Sequence, residues 1–539
     1  MQLENLGRRR LIKFGLASGS LFLPMPYARV WAQSDGTLKL LRLPKIALVL
    51  GNSKYKDVPL KNPANDARAI GEALAATGFK VNVRLDATHA EMAEALATYV
   101  KDVAARQCVG LFYYAGHGVQ LAWRNYILPV DADIATISDI QKQGLEVNAL
   151  LEGLNKAANP MNMIILDACR DNPFGNLKGV DQKGLSQMDA PQNTLLAYAT
   201  SPGNVASDGE GANGLYTENL LRELKIPAAK VEDVFKRVRL GVRVSSKGAQ
   251  IPWESTSLED DFWFIPPKEL KQIDQADQDR QFEEELALWE KIKLSADPAP
   301  LENFLRRYPS GPFSELAQTQ LERALAAIGE KRVRIASQEG NPFTRGSSEA
   351  NMNWQAGDRY AYKNTDLLKP ESSRNITQVV TEVSSGEVHY ANGLVTDLLG
   401  NLLRRPGGRI YSPNQLEPLE YVVGKQWVTR FRINTPSGAA GNNEMELRIV
   451  ARESVTVPAG TFNAFRIEGR GVFAMESGGV EVTTLTKWVA PDRLRREVAM
   501  EETRERSGGN NPIGRRGRRS QANRITQSQR WELLSFTQK

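Results

Sequence analysis

Between residues 43 and 265, short apolar runs alternate with stretches of helical period. Residues 45–51, Lys-Ile-Ala-Leu-Val-Leu-Gly, form an apolar run closed by glycine, the pattern of a strand buried on both faces. Residues 109–114, 163–166 and 195–200 repeat it, and 79–85 reads as a further strand. Helices are expected at 64–76, closed by Gly78, and at 88–103, where Thr88 followed by Glu91 makes a capping box. More helical stretches lie near 147–157, 214–225 and 231–243. This alternation implies an α/β domain, a mostly parallel sheet flanked by helices. The pattern then changes twice. Residues 266–335 are charged and helical, broken at Asp297-Pro298-Ala299-Pro300 and again at 308–312, and read as a helical spacer. Residues 350–539 alternate in period two, as in Glu446-Leu447-Arg448-Ile449-Val450, with turn residues between the runs. An antiparallel β sandwich or barrel is expected there, with no constellation of residues that suggests chemistry.

Composition adds little until it is located. The 539 residues are 41% hydrophobic and 24% charged, which excludes wholesale disorder. The formal charge of +6 suggests an anionic partner. Much of that charge sits at the two ends. Residues 1–32 hold five basic residues against one acid, and Arg8-Arg9-Arg10-Leu11-Ile12-Lys13 opens an apolar run to Pro26. This resembles a twin-arginine export signal and implies a periplasmic or secreted protein. No other stretch approaches the ~18 apolar residues of a membrane helix, so no span is expected after signal removal. Residues 504–524 hold seven arginines and one acid, Glu505, with Gly508-Gly509-Asn510-Asn511-Pro512 among them. That reads as a solvated loop or hairpin tip. No aromatic residues interleave to stack bases, so no nucleic acid is expected as a partner. Without these two stretches the body of the chain is mildly acidic.

The scarce residues carry the chemistry. Cys108 and Cys169 are the two cysteines, and His89, His117 and His389 the three histidines. A disulfide-stapled scaffold is excluded, and a Cys- or His-rich zinc site is not expected. His117 stands in Tyr113-Tyr114-Ala115-Gly116-His117-Gly118, where the 109–114 strand runs out into glycines. Cys169 stands in Ile165-Leu166-Asp167-Ala168-Cys169-Arg170-Asp171, where another buried strand ends in a polar burst. Ligands bind at the carboxyl ends of strands in open α/β sheets. If these strands are neighbours, an imidazole meets a thiol at one rim, the minimal base–nucleophile pair for attack on a carbonyl. The backbone N–H groups of Gly118 and Cys169 would serve the oxyanion. Such a pair requires no cofactor. Cys108, at the start of an apolar strand, reads as buried and inert, and both thiols are expected to be reduced.

These motifs, with 46–55 (Ile-Ala-Leu-Val-Leu-Gly-Asn-Ser-Lys-Tyr), 60–67 (Leu-Lys-Asn-Pro-Ala-Asn-Asp-Ala) and 128–131 (Leu-Pro-Val-Asp), resemble the caspase-like cysteine peptidases. The resemblance is specifically to the prokaryotic metacaspase-like, or orthocaspase, group, and it covers residues 43–265. The histidine lies 52 residues before the cysteine, within the family's spacing. The resemblance implies peptidase activity, with His117 and Cys169 catalytic and Gly118 and Cys169 forming the oxyanion hole. Animal caspases carry Gln two residues before the cysteine, in a pocket for an aspartate side chain; here it is Asp167. Asp66 matches the acid that metacaspases carry in the first helix. Two carboxylates would pair with a basic P1 side chain, so protein or peptide substrates cut after Arg or Lys are expected. The resemblance also allows self-cleavage between Asn172 and Asn193, at Lys178 or Lys183. It allows calcium near Asp131 and Asp133, although no EF-hand pattern is present. The competing reading is an interaction protein with an inert caspase fold and a partner-binding β domain. A transpeptidase using the same pair is a third.

Overall fold

The computed structural model describes residues 35–169, 177, 185–201, 211–268, 275–330, 341, 343, 346–384, 386–476, 479–506 and 524–539. The expected export signal, Lys178, Lys183 and most of the arginine-rich stretch lie outside the described residues.

The first unit runs α1 (Asp35–Arg42), β1 (Lys45–Gly51), α2 (Pro63–Ala76), β2 (Lys80–Leu85), α3 (His89–Arg106) and β3 (Val109–Leu121). It continues with β4 (Arg124–Ile127), α4 (Ile137–Gln143), β5 (Leu145–Glu146), α5 (Val147–Lys156), β6 (Met161–Cys169) and β7 (Thr194–Tyr198). It ends with α6 (Leu215–Glu223), α7 (Val231–Ser245) and β8 (Trp253–Thr256). The sheet order is β2-β1-β3-β6-β7-β8, parallel except for β8 on the edge. Strand alternation divides its side chains between two cores. Val49, Leu111, Tyr113 and Ile165 pack with α2, α6 and α7 on one face. Leu48, Phe112, Tyr114 and Ile164 pack with α3 and α5 on the other. The expected α/β architecture, a mostly parallel sheet flanked by helices, follows directly from these doubly buried runs.

Local signals also take effect. Glu91 Oε2 accepts from Thr88 N at 2.9 Å, completing the capping box of α3. Gly78, past the end of α2, has φ of +88°. One expectation fails in detail. β3 does not end at Tyr114 but continues to Leu121 and turns back into β4, so His117 lies within a strand. The strand survives its irregular point because Gly116 has φ of +152° and no Cβ. A Cβ there would sit 2.6 Å from both the Tyr55 and Tyr114 hydroxyls.

The helices α8 (Gln275–Ile292), α9 (Pro298–Arg307) and α10 (Ser314–Ala327) form a small bundle with its own core around Phe304, Phe313 and Leu321. β9 (Ser347–Glu349) follows. Next come β10 (Arg359–Asp366), β11 (Ser373–Ser384), β12 (Glu387–Tyr390), β13 (Val395–Asp397), β14 (Leu402–Arg404) and β15 (Ile410–Tyr411). The last strands are β16 (Glu420–Val422), β17 (Gln426–Asn434), β18 (Ala440–Val457), β19 (Gly460–Met475), β20 (Gly479–Val489), β21 (Glu497–Arg506) and β22 (Arg524–Thr537). All but β9 and β16 join one antiparallel barrel, closed where β10 pairs β22; β9 and β16 pair with each other. Of the two architectures expected, the barrel is the one formed. Closure removes the sheet edges that would otherwise invite pairing with other chains.

The three units meet through ion pairs. Arg239 on α7 reaches Glu254 on β8 (3.0 Å) and Glu420 on β16 (3.7 Å), and Lys425 reaches Glu315 on α10 (2.7 Å). Among the described residues no helix is long and apolar enough to cross a membrane.

Candidate active site

β3 and β6 are parallel neighbours in register from Val109↔Met161 to His117↔Cys169. The ladder therefore ends with the histidine opposite the cysteine. Elements 52 residues apart meet because each strand buries a continuous apolar run and pairs with the other along it.

His117 is held on every side. Its N–H donates to the Tyr55 hydroxyl at 2.9 Å, and the Tyr55 ring stands 4.4 Å from the imidazole, tilted by 54°. Its carbonyl accepts from Leu128 N at 3.0 Å and from the Tyr114 hydroxyl at 2.7 Å. Nε2 lies 2.7 Å from Val58 O. A carbonyl only accepts, so Nε2 carries the proton and Nδ1 holds the lone pair in the neutral ring. Gly118 stands opposite Ile127 of β4. The bond from Leu128 N to His117 O marks this as a pair that exchanges no hydrogen bonds, so the Gly118 N–H points away from β4.

The expected pocket acids come together. Asp66, buried in the first turn of α2, accepts from Gly214 N at 3.0 Å. Asp167, half-buried on β6, accepts from Thr217 Oγ1 at 2.7 Å and from the Tyr113 hydroxyl at 3.2 Å. A Cβ on Gly214 would lie 3.2 Å from Asp66 Oδ2 and 3.9 Å from Asp167 Oδ2. The two carboxylates thus flank a position without a side chain, just before α6. Burial first, then the carboxylates of Asp167 and Asp66, push the Tyr113 phenol well above its usual range and keep it a donor.

Tyr55, Tyr113, Tyr114 and Thr217 were not singled out by the sequence. The signal for two of them was present. Adjacent residues on a strand face opposite ways, so Tyr113 reaches the acid pocket and Tyr114 the histidine. Tyr55 and Thr217 come from distant segments, and no local pattern marks them.

The remaining expectations are placed as follows. Cys108 is a free, buried thiol pushed up to about 11, chiefly by burial. Asp131 and Asp133 are exposed; Asp131 Oδ1 accepts from His89 N, and the Asp133 backbone is bonded by Gln143. Among the described residues no group of three or more acids, histidines or cysteines gathers in a way that could hold a metal ion. A cleft of about 580 Å³ lies between α8, α10 and the barrel, lined by Trp289, Leu294, Ile410 and Tyr411. None of the site residues lines it.

Comparison with known proteins agrees with this geometry. Residues 44–263 match the family model described as Caspase domain. Over 191 residues the chain is 30% identical to the human mucosa-associated lymphoid tissue lymphoma translocation protein 1, covering 34% of this chain and 22% of that protein. Its homolog from Mus musculus matches with the same identity and coverage. The chain thus spans about a fifth of the length of these relatives. Residues 44–263 are thus a caspase-like domain, and the match ends before the helical bundle and the barrel begin.

Proposed function

We propose that this caspase-like protein is an exported cysteine endopeptidase of the metacaspase-like group, cleaving after Arg or Lys. The observation that carries the reading is a coincidence of place. The register pair His117↔Cys169 closes one strand ladder, and two residues back along β6 Asp167 converges with Asp66 over Gly214.

Nδ1 of His117 takes the thiol proton of Cys169, and the thiolate attacks the scissile carbonyl carbon. The N–H groups of Gly118 and Cys169 receive the oxyanion. The imidazolium is stabilised at Nε2 by Val58 O and returns its proton to the leaving amine. Water, deprotonated by the same nitrogen, then hydrolyses the thioester. A P1 guanidinium lies between Asp66 and Asp167, in the space that Gly214 leaves open. The same specificity makes Lys178 and Lys183, between the cysteine strand and β7, candidate sites of self-cleavage.

An acyloxymethyl ketone built on a peptidyl arginine tests this. Its acyl-methyl adduct is expected on Cys169 in the wild-type chain and absent from His117→Ala. An adduct on Cys108, or none on either cysteine, refutes the reading.

A further inference from the structure

We propose that the stretch leading into the barrel is part of the catalytic unit: with Asn125 it grips the segment that follows the catalytic cysteine, making Asn125 and Asn341 positioning residues for the oxyanion-binding backbone at Gly118. The proposal rests on the peptidase reading above.

The chain passes from Cys169 to β7 through a segment that is described continuously from Leu185 onward. Residues 185–188 are buried although they belong to no helix or strand. Leu185 packs beside Gly118. A Cβ at Gly118 would stand 3.1 Å from Leu185 Cδ2 and 3.0 Å from Ala168 Cβ. Gly118 therefore has Ala168 of β6 and Leu185 packed against it, so a displaced Leu185 would leave space into which the backbone at Gly118 could shift.

Two asparagines hold the next residue, one by its backbone and one by its side chain. Asn125, fully buried on β4, accepts from Ser186 N at 2.6 Å and donates to Ser186 O at 2.8 Å. Its side-chain amide imitates a neighbouring strand. Asn341, just before the barrel, donates to Ser186 Oγ and to Gln187 O, both at 3.1 Å. Phe343 N donates to Asn341 Oδ1 at 2.9 Å and fixes the orientation of that amide. Further along, Asp189 N donates to Phe343 O (2.8 Å), and Gly346 N donates to Asp189 Oδ2 (2.7 Å). Ser347 then begins β9, which pairs with β16. A line of hydrogen-bonded groups thus runs from Gly346, just before β9, to Ser186, whose neighbour Leu185 packs beside Gly118.

The chemistry makes this placement matter. An oxyanion donor works only when it stands about 2.7–3.1 Å from the developing charge. A segment outside regular structure has no ladder to fix it, so its position depends on these side-chain bonds.

The test uses the full chain and two variants, Asn341→Ala and Ser186→Ala. Two rates are read for each: turnover of an arginyl peptide, and alkylation of Cys169 by iodoacetamide followed by mass spectrometry. Alkylation needs the thiolate but forms no oxyanion. Expected for Asn341→Ala is a kcat lowered about ten- to a hundredfold, with KM and alkylation within about twofold of wild type. Ser186→Ala, which removes one acceptor and disturbs least, is expected to lose a smaller factor in kcat alone. Unchanged kcat in Asn341→Ala and Ser186→Ala overturns the proposal. So does a parallel fall of kcat and alkylation, which would mark the contacts as purely structural. A wild-type chain that is alkylated but cleaves no arginyl peptide removes the peptidase reading, and this inference with it.

Discussion

His117 and Cys169 are register partners, the last pair of the parallel ladder between β3 and β6. The proposed base and nucleophile therefore stand on adjacent paired strands, and Asp66 and Asp167 of the proposed P1 pocket lie beside Gly214 at the start of α6.

Replacing either member should abolish turnover without unfolding the domain. Cys169→Ala and His117→Ala are expected to lower kcat/KM on arginyl peptides by at least about a thousandfold. Circular dichroism should stay close to wild type. Residual turnover within tenfold of wild type in either variant would remove that residue from the reaction.

The acid pocket should respond to charge rather than size. Asp167→Asn and Asp66→Asn keep shape and remove one carboxylate each. Removing one partner of a desolvated charge pair costs about 2–5 kcal/mol, so kcat/KM for arginyl peptides should fall about thirtyfold or more. For peptides with a neutral P1 side chain the loss should be small. Equal losses on both substrates would make these aspartates structural.

Tyr55 is expected to support the histidine through its hydroxyl. In Tyr55→Phe the His117 N–H and the Leu128 carbonyl both lose that partner. A buried polar group left unpaired costs about 1–3 kcal/mol. The thermal midpoint of the catalytic unit and the turnover should both drop. Gly116→Ala should be worse, because φ of +152° and two hydroxyls at 2.6 Å leave no place for a methyl group. Wild-type stability in Gly116→Ala would show that β3 can relax there.

The helical bundle should lose stability as pH rises through the weakly acidic range. Burial pushes Glu285 up to about 7, while the hydrogen bond from Phe313 N acts in the opposite direction. Its folded-state value lies above the ordinary carboxylate range, so the folded form holds a proton that the unfolded chain releases near pH 4.5. Stability is therefore greatest below about pH 4.5, falls between there and about 7, and is flat above. The loss attributable to this group is on the order of 3 kcal/mol. Asp397 in the barrel, also pushed to about 7 by burial, adds a loss of the same sign. Urea unfolding at pH 5 and pH 8 should show the difference shrinking in Glu285→Gln. An unchanged difference in that variant would assign the effect elsewhere.

Much of this was readable in the sequence, for reasons that differ by element. The doubly buried strands β1, β3, β6 and β7 announce themselves as unbroken apolar runs, and the Thr88–Glu91 box marks the start of α3 unaided. The period-two pattern of the C-terminal part indicated antiparallel strands but could not separate sandwich from barrel, since closure depends on whether β10 meets β22. The continuation of β3 through His117 was missed, because glycines flanking a histidine look like a turn. Gly116 lets the strand continue, and the hydroxyls of Tyr55 and Tyr114 bond the His117 backbone beside it. The grip on Ser186 by Asn125 and Asn341 has no sequence signature at all. Its partners lie 61 and 155 residues away, and only the packing of the strap against the post-cysteine segment brings them together.

The central claim is a Cys–His peptidase with an acidic P1 pocket. The most direct measurement is kcat/KM of the purified chain on two peptides identical except for Arg or Asp at P1, with Cys169→Ala as control. The account predicts rapid cleavage after Arg, negligible cleavage after Asp, and no cleavage of either by the variant. Faster turnover of the Asp peptide, or cleavage that persists in Cys169→Ala, would contradict it.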